Sequence, residues 1–279
     1  MAARILSAVV GIPIAAVLIF WPGGLPFTVA VGLVSVVGAS EFYSRVRKIG
    51  ARPIEWAGLA AAVTFIISAR NYQNESSQVP IRLVFTSLIL LSFVTELLRT
   101  RRAPIANLGA TALGAVYIGW LLSHVVMLRG MSERCIVGSF ESTSGAWLVM
   151  FVFLCTWACD TTAYFVGKFY GKTKLAAKLS PGKTVEGSIA GLVGSVMIAA
   201  ITGAVIRLPA VHSLALGFIL GVLAQVGDLA ESAIKREIGI KDFGSIIPGH
   251  GGVLDRFDSL LFTGTAAYYY TVYFLRNWP

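Results

Sequence analysis

The stretch Ser232–Asp258, SAIKREIGIKDFGSIIPGHGGVLDRFD, concentrates acids, bases, glycines and a histidine between two apolar segments. That much charge beside an apolar run needs a chemical reason, because an ionisable group near bilayer hydrocarbon is costly unless it is paired or bound. One turn upstream, Asp228 joins the set. The carboxylates Asp228, Asp255 and Asp258 can hold a divalent metal, and the cations Lys235, Arg236, Lys241 and Arg256 can hold phosphates.

Spacing sharpens this reading. Asp228, Glu231, Ser232 and Lys235 follow i, i+3, i+4, i+7, so they share one face of a helix that is otherwise Leu, Ile, Val, Ala and Gly. The plain structural alternative for Asp228 is an ion pair with Lys235 or Arg236. Asp255 and Asp258 lie three apart where the last helix begins, so both carboxylates project from its first turn and a cation fits between them. The helix macrodipole would account for one such acid, but not for a further one on the preceding helix. Between them, Pro248-Gly249-His250-Gly251-Gly252 lets the backbone turn sharply and bring amides close to an anion. His250 is open to three readings: phosphate donor, proton carrier or loop residue. His124 and His212, without charged company, read as structural.

The rest of the chain explains why charge here stands out. Of 279 residues, 56% are hydrophobic and 13% charged, and the mean hydropathy is +0.76, far from a soluble composition. Apolar runs occur near residues 5–21, 25–43, 54–69, 79–98, 105–128, 145–167, 185–207, 211–233 and 258–276. They predict an all-α, polytopic membrane helix bundle of about nine transmembrane helices. The first run, preceded by Arg4, has no small-residue cleavage site after it. It reads as a retained helix ending in a tight turn at Trp21-Pro22-Gly23-Gly24. The net charge is +9, but 17 of the 23 Lys and Arg residues fall on the N-terminal side of such a topology and 6 on the other. That bias puts the N-terminus and the 232–258 segment in the cytoplasm. No basic array interleaved with exposed aromatics suggests nucleic acid. Cys135, Cys155 and Cys159 are too few and scattered for a disulfide framework or a zinc site, and read as small hydrophobes. No soluble domain is appended, so residues 1–279 read as one integral membrane domain.

A second cluster runs from Asp160 through Lys168, Lys172, Lys174 and Lys178 to Ser180-Pro181-Gly182-Lys183-Thr184-Val185-Glu186-Gly187. Its Gly-Lys-Thr is not a phosphate loop, since Ala177 stands where that motif needs glycine and no strand precedes it. These lysines either neutralise a triphosphate or lipid phosphate, or mark a cytoplasmic loop. Asp160, deep in an apolar helix, is harder to ascribe to topology.

With these residues in place, the chain resembles the phosphatidate cytidylyltransferases, also called CDP-diacylglycerol synthases. The family's signature of Ser, Lys-Arg, Lys-Asp, His-Gly-Gly and Asp-Arg-x-Asp reads here as Ser232, Lys235-Arg236, Lys241-Asp242, His250-Gly251-Gly252 and Asp255-Arg256-Phe257-Asp258. The stretches from Asp160 to Gly167 and from Ser180 to Gly187 also resemble the family, except that Gly182 replaces its common Lys. The resemblance covers residues 145 to 276. The helices of 1–144 match only as generic membrane helices, with 145–279 as the catalytic part.

The resemblance implies a homodimeric multi-helix enzyme, here of the bacterial inner membrane with its site facing the cytoplasm; the helices of 1–144 are a candidate dimer interface. CTP and phosphatidate would give CDP-diacylglycerol and pyrophosphate, with Mg²⁺ at Asp228, Asp255 and Asp258 and a potassium ion beside it. Lys235, Arg236, His250 and Arg256 would join these acids in the chemistry. Asp160, Ser180, Lys183, Thr184, Ser232, Lys241, Asp242, Gly251 and Gly252 would bind substrate. The residue types suit that reaction: a lipid phosphate oxygen needs no strong base to attack phosphorus, whereas the triphosphate needs neutralising and aligning. Two other classes stay open at this point, a cation- or proton-coupled transporter built on Asp160 and Asp228, and a lipid kinase with a related metal site.

Overall fold

The computed structural model describes residues 2–72, 78–100, 103–246, 251–275 and 278. Among these residues the apolar runs are helices: α1 (Ala2–Phe20), α2 (Leu25–Val46), α3 (Glu55–Arg70), α4 (Gln78–Leu97), and α5 (Pro104–Gly114), which passes through a π-helical turn at Ala115–Trp120 into α6 (Leu121–Arg129). They are followed by α7 (Ser144–Tyr170), α8 (Val185–Val205), α9 (Ala210–Ile238) and α10 (Leu254–Phe274). Helix is the form such runs take in lipid, where no water is available to satisfy backbone N–H and C=O groups. Among the described residues, five stretches are long and apolar enough to cross a bilayer: Leu25–Ile49, Pro104–Arg129, Ser144–Tyr170, Val185–Val205 and Ala210–Ile238. The chain is thus a helical membrane protein, and the expected nine crossings exceed the five that meet this measure.

The all-α expectation needs one correction. Two short antiparallel hairpins lie between helices, β1 (Arg134–Val137) with β2 (Phe140–Thr143), and β3 (Lys174–Ala176) with β4 (Ser180–Thr184). Both fall in polar or basic segments outside the apolar spans, where strand pairing can satisfy a backbone that has left the helix.

The chain forms two compact units, Met1–Met127 with Glu237–Phe257, and Leu128–Arg236 with Asp258–Pro279. The segment preceding α10 therefore belongs with the N-terminal helices, a division that the sequence halves at 144 and 145 did not suggest.

In the first unit, the expected turn after α1 is present: Gly24 N–H donates to the Trp21 carbonyl at 3.1 Å, with Gly23 and Gly24 at φ of 71° and 64°. Tyr43 of α2 is fully buried and donates to the Thr111 carbonyl at 2.8 Å. Phe65, Phe85 and Trp120 stack edge and tilt at centroid distances of 4.9 to 5.5 Å. A buried polar network ties the end of α4 to α5: Glu96 accepts from Ala103 N–H and from the Asn107 amide, each at 2.8 Å.

In the second unit, small residues bring helix backbones together. A Cβ on Gly187 would lie 2.7 Å from the Ala163 carbonyl oxygen, and one on Gly191 would lie 2.9 Å from that of Cys159. This is how helices gain packing in lipid, where apolar burial alone offers little drive. Cys135, Cys155 and Cys159 are free and buried, as small hydrophobes would be. His212 Nδ1 lies 3.0 Å from the Tyr270 hydroxyl, and in the first unit His124 Nδ1 lies 2.9 Å from the Trp120 carbonyl; both histidines make helix contacts.

Candidate active site

The second unit gathers charge where α9, α10 and the β3–β4 hairpin meet. Its centre is Asp228 of α9, whose Oδ2 lies 2.7 Å from Lys183 Nζ on β4, with the two side chains 37% and 23% exposed. Ser232, one turn on, has its hydroxyl 3.4 Å from Asp228 Oδ1. Glu231, 1% exposed, forms an ion pair with Lys235. The helical spacing noted in the sequence thus produces one polar stripe with two anchored pairs. Lys235 is held by Glu231 and Asp228 by Lys183, so the plain structural alternative, an ion pair of Asp228 with Lys235 or Arg236, gives way to one reaching 45 residues back along the chain.

Asp258 of α10 joins this cluster, lying within electrostatic reach of Asp228, Lys235 and Lys183, while its Oδ1 accepts the Ser259 N–H at 2.7 Å. Gly227 brings the two helices together: a Cβ there would stand 2.8 Å from the Asp258 carbonyl oxygen and 3.1 Å from Ser259 Cα. Ser259 adds a hydroxyl bond to the Ala224 carbonyl at 3.1 Å. Main chain against main chain therefore sets how near Asp228 and Asp258 come.

The hairpin that carries Lys183 is fastened at three points. Thr184 Oγ1 caps α8 by accepting Gly187 N–H at 3.2 Å. Glu186 accepts the N–H groups of Lys172 and Thr173, each at 3.1 Å. Arg236 Nε donates to the Leu179 carbonyl at 2.9 Å. Thr184 and Arg236, read from sequence as substrate and phosphate contacts, here hold the support of Lys183. Ser180 sits in the same hairpin, its Cα paired with Ala176. Gly182 is exposed, and a Cβ there would meet open space. Asp160 is exposed on α7, as are Lys168, Lys172, Lys174 and Lys178 around it and the hairpin.

In the first unit, the segment leading into α10 is organised by carboxylates. Asp255, 7% exposed, accepts Gly252 N–H at 2.7 Å and Phe243 N–H at 3.0 Å through Oδ2. The first contact is the reach-back of a helix N-terminal acid. Gly251 adopts φ 86°, and a Cβ there would come 3.0 Å from Asp255 Oδ2 and 3.3 Å from Asp242 Oδ1. Lys241, Asp242 and Arg256 are exposed. Pro248, Gly249 and His250 lie outside the described residues.

Among the described residues no group of three His, Cys, Asp or Glu is placed to hold a metal ion. The pair Asp228 and Asp258, with the Ser232 hydroxyl, is a hard oxygen set. It suits a Mg²⁺ that takes one or two protein carboxylates and completes its shell with phosphate oxygens and water. Sequence reasoning passed over Glu231 as an anchor for Lys235, although its i+4 spacing to that lysine signalled it. It also passed over Glu41, a lone acid in α2.

Residues 2–274 match the Cytidylyltransferase family. The chain is 35% identical to the phosphatidate cytidylyltransferase of Synechocystis sp. across 98% of this chain and 97% of that protein. It is 33% identical to the phosphatidate cytidylyltransferase of Bacillus subtilis, across 88% and 89%. It is 34% identical to phosphatidate cytidylyltransferase 4, chloroplastic, of Arabidopsis thaliana, across 93% and 70%. The N-terminal helices, generic to sequence inspection, are thus part of the similarity.

Proposed function

From the chain's membership of the Cytidylyltransferase family, we infer that it is a phosphatidate cytidylyltransferase, converting CTP and phosphatidate to CDP-diacylglycerol and pyrophosphate. The observation that carries the site assignment is the cluster of Lys183, Asp228, Lys235 and Asp258 at the meeting of α9, α10 and the β3–β4 hairpin.

In this reading a phosphate oxygen of phosphatidate attacks the α-phosphorus of CTP, the new P–O bond forms as the bond to the β-phosphate oxygen breaks, and pyrophosphate leaves. No proton need be removed by a strong base, since the attacking oxygen is already anionic. Lys183 and Lys235 neutralise charge on the triphosphate and on the departing pyrophosphate. Their own carboxylate partners hold them in position, so little reorganisation accompanies the reaction. Asp228 and Asp258 would hold Mg²⁺, which would supply charge neutralisation at the phosphate oxygens. Asp255 sets the backbone of the Gly251-Gly252 turn by accepting the Gly252 N–H.

The finer parts of the reading have separate supports. A site facing the cytoplasm of a bacterial cell membrane rests on the 17-to-6 distribution of Lys and Arg. Phosphatidate reaching the site from the bilayer and CTP from water fits charges at the ends of apolar helices. A homodimer rests on the family resemblance.

The test is pyrophosphate release by purified protein in mixed micelles with CTP, Mg²⁺ and phosphatidate, each omitted in turn, with product identified by mass spectrometry. Release that needs all three components and yields CDP-diacylglycerol is the expected result; no turnover by folded protein would overturn the reading.

Thr184 separates support from substrate contact. Thr184→Ala should cost about 0.5–2 kcal/mol of stability, the usual loss of an N-cap, with KM for CTP unchanged. A raised KM at unchanged Tm would instead place its hydroxyl on the nucleotide.

A further inference from the structure

The approach to α10 is held by α2. Gly38, Glu41, Phe42 and Arg45 follow i, i+3, i+4, i+7 and so share one face of that helix. Phe42 and Phe243 rings sit 6.1 Å apart, and Arg45 Nε donates to the Phe243 carbonyl at 2.6 Å. Glu41, 7% exposed, receives the N–H of Val253 on Oε1 at 3.1 Å and the N–H of Leu254 on Oε2 at 3.0 Å.

These two amides open α10, and the first N–H groups of a helix have no partner within it. A carboxylate from a different helix therefore does the work of an N-cap, and it does so with a charge placed favourably at the positive end of the helix dipole. The fit is close. A Cβ on Gly252 would stand 2.5 to 2.6 Å from both Glu41 oxygens, and one on Gly244 would collide with the same carboxylate. The loop thus folds around the acid at two glycines. Phe243 is gripped from both sides, its carbonyl by Arg45 and its N–H by Asp255.

We propose that Glu41 is a positioning residue for cytidylyl transfer: its carboxylate seats the start of α10 and thereby orients Asp255 in the first turn and Asp258 one turn along the same helix. The inference rests on the cytidylyltransferase reading and on the catalytic part assigned there to Asp258. It gives the N-terminal helices a part in the chemistry, carried through backbone amides and without contact to substrate. A buried acid used only for stability, such as Glu96 on Ala103 N–H and Asn107, would affect how much protein folds. Glu41 affects how well each folded molecule turns over.

The experiment compares wild type, Glu41→Gln, Glu41→Asp and Glu96→Gln, all full length in mixed micelles with phosphatidate. It measures Tm, kcat, KM for CTP, the Mg²⁺ concentration giving half-maximal rate, and amide exchange over residues 251–258. The amide of Glu41→Gln keeps the size but sets an NH₂ group against one of the two backbone donors. It should lower kcat about 10–100-fold, the range seen when support of a metal ligand is lost. It should also raise the Mg²⁺ requirement and speed exchange at Val253 and Leu254. Glu41→Asp, which keeps the charge on a shorter arm, should recover part of kcat. Glu96→Gln should lower Tm with kcat and Mg²⁺ requirement unchanged.

Wild-type kcat and Mg²⁺ requirement in folded Glu41→Gln would overturn the proposal, as would a loss of kcat equal to that of Glu96→Gln. If Glu41→Gln fails to fold, Glu41→Asp is read by the same criteria: a reduced kcat supports the proposal and a wild-type kcat overturns it. Wild type that makes no CDP-diacylglycerol would fault the enzyme reading itself, an outcome distinct from active wild type with an equally active Glu41 variant.

Discussion

Asp258→Asn should fold in detergent and lose turnover by about 10²–10³-fold, the scale on which removal of a group stabilising transition-state charge is felt. The substitution keeps the side-chain volume and leaves an oxygen to accept Ser259 N–H, which Asp258 Oδ1 does at 2.7 Å. The helix contact at Gly227 involves the Asp258 carbonyl, which the change does not touch. What disappears is one negative charge from a cluster containing Asp228, Lys183 and Lys235. The variant should therefore match wild type in gel filtration and Tm while pyrophosphate release falls, and excess Mg²⁺ should restore little. Folded Asp258→Asn turning over at the wild-type rate would remove Asp258 from the metal site.

Lys183→Met should reduce kcat/KM for CTP by about 10²–10³-fold, a loss comparable to removing one donor from a preorganised anion site. The ion pair with Asp228 at 2.7 Å makes the expected pattern more informative than a single rate. If Lys183 only balances Asp228, then Lys183→Met combined with Asp228→Asn should be no worse than Asp228→Asn alone, and the double-mutant cycle will show the full effect as coupling. If Lys183 also contacts phosphate, the double variant should lose more than Asp228→Asn. Lys183→Arg should recover only part of the rate, because a planar fork cannot take the place of a compact ammonium without moving the hairpin. Unchanged KM and kcat in Lys183→Met would show the pair to be structural only.

Much of this site could be read from spacing. The stripe Asp228, Glu231, Ser232 and Lys235 follows from helical periodicity once α9 is recognised as apolar, and the helix does present the Ser232 hydroxyl toward Asp228. Asp255 and Asp258 were legible as first-turn acids, but their different employment was not. Whether a carboxylate at a helix start faces a neighbouring loop or a neighbouring helix depends on tertiary packing, and Asp255 turns to Gly252 and Phe243. The Lys183 to Asp228 pair was illegible because no periodicity links a hairpin to a helix 45 positions later. The hairpins themselves lack alternating apolar residues: Lys174–Ala176 and Ser180–Thr184 look like loop until their backbones pair. Thr184 before an apolar run carried an N-cap signal, which the Gly-Lys-Thr string masked. Glu41 with Arg45 at i+4 resembles an ordinary pair on one helix; only the arrival of residues 243–254 shows that each serves the loop.

The close approach at Gly227 also bears on how this enzyme can change over evolutionary time. Most crowded positions can be relieved stepwise, because a neighbour that is trimmed first makes room for a larger residue afterwards. At Gly227 the nearest obstacles include the Asp258 carbonyl oxygen and Ser259 Cα, which belong to the main chain, and no substitution of a neighbour makes them smaller. Compensation would require α10 to shift bodily against α9, carrying Asp258 away from Asp228. Adaptive routes to new substrates therefore run through the hairpin, where Gly182 faces open space, while the axis between the two helices stays closed to single-step change.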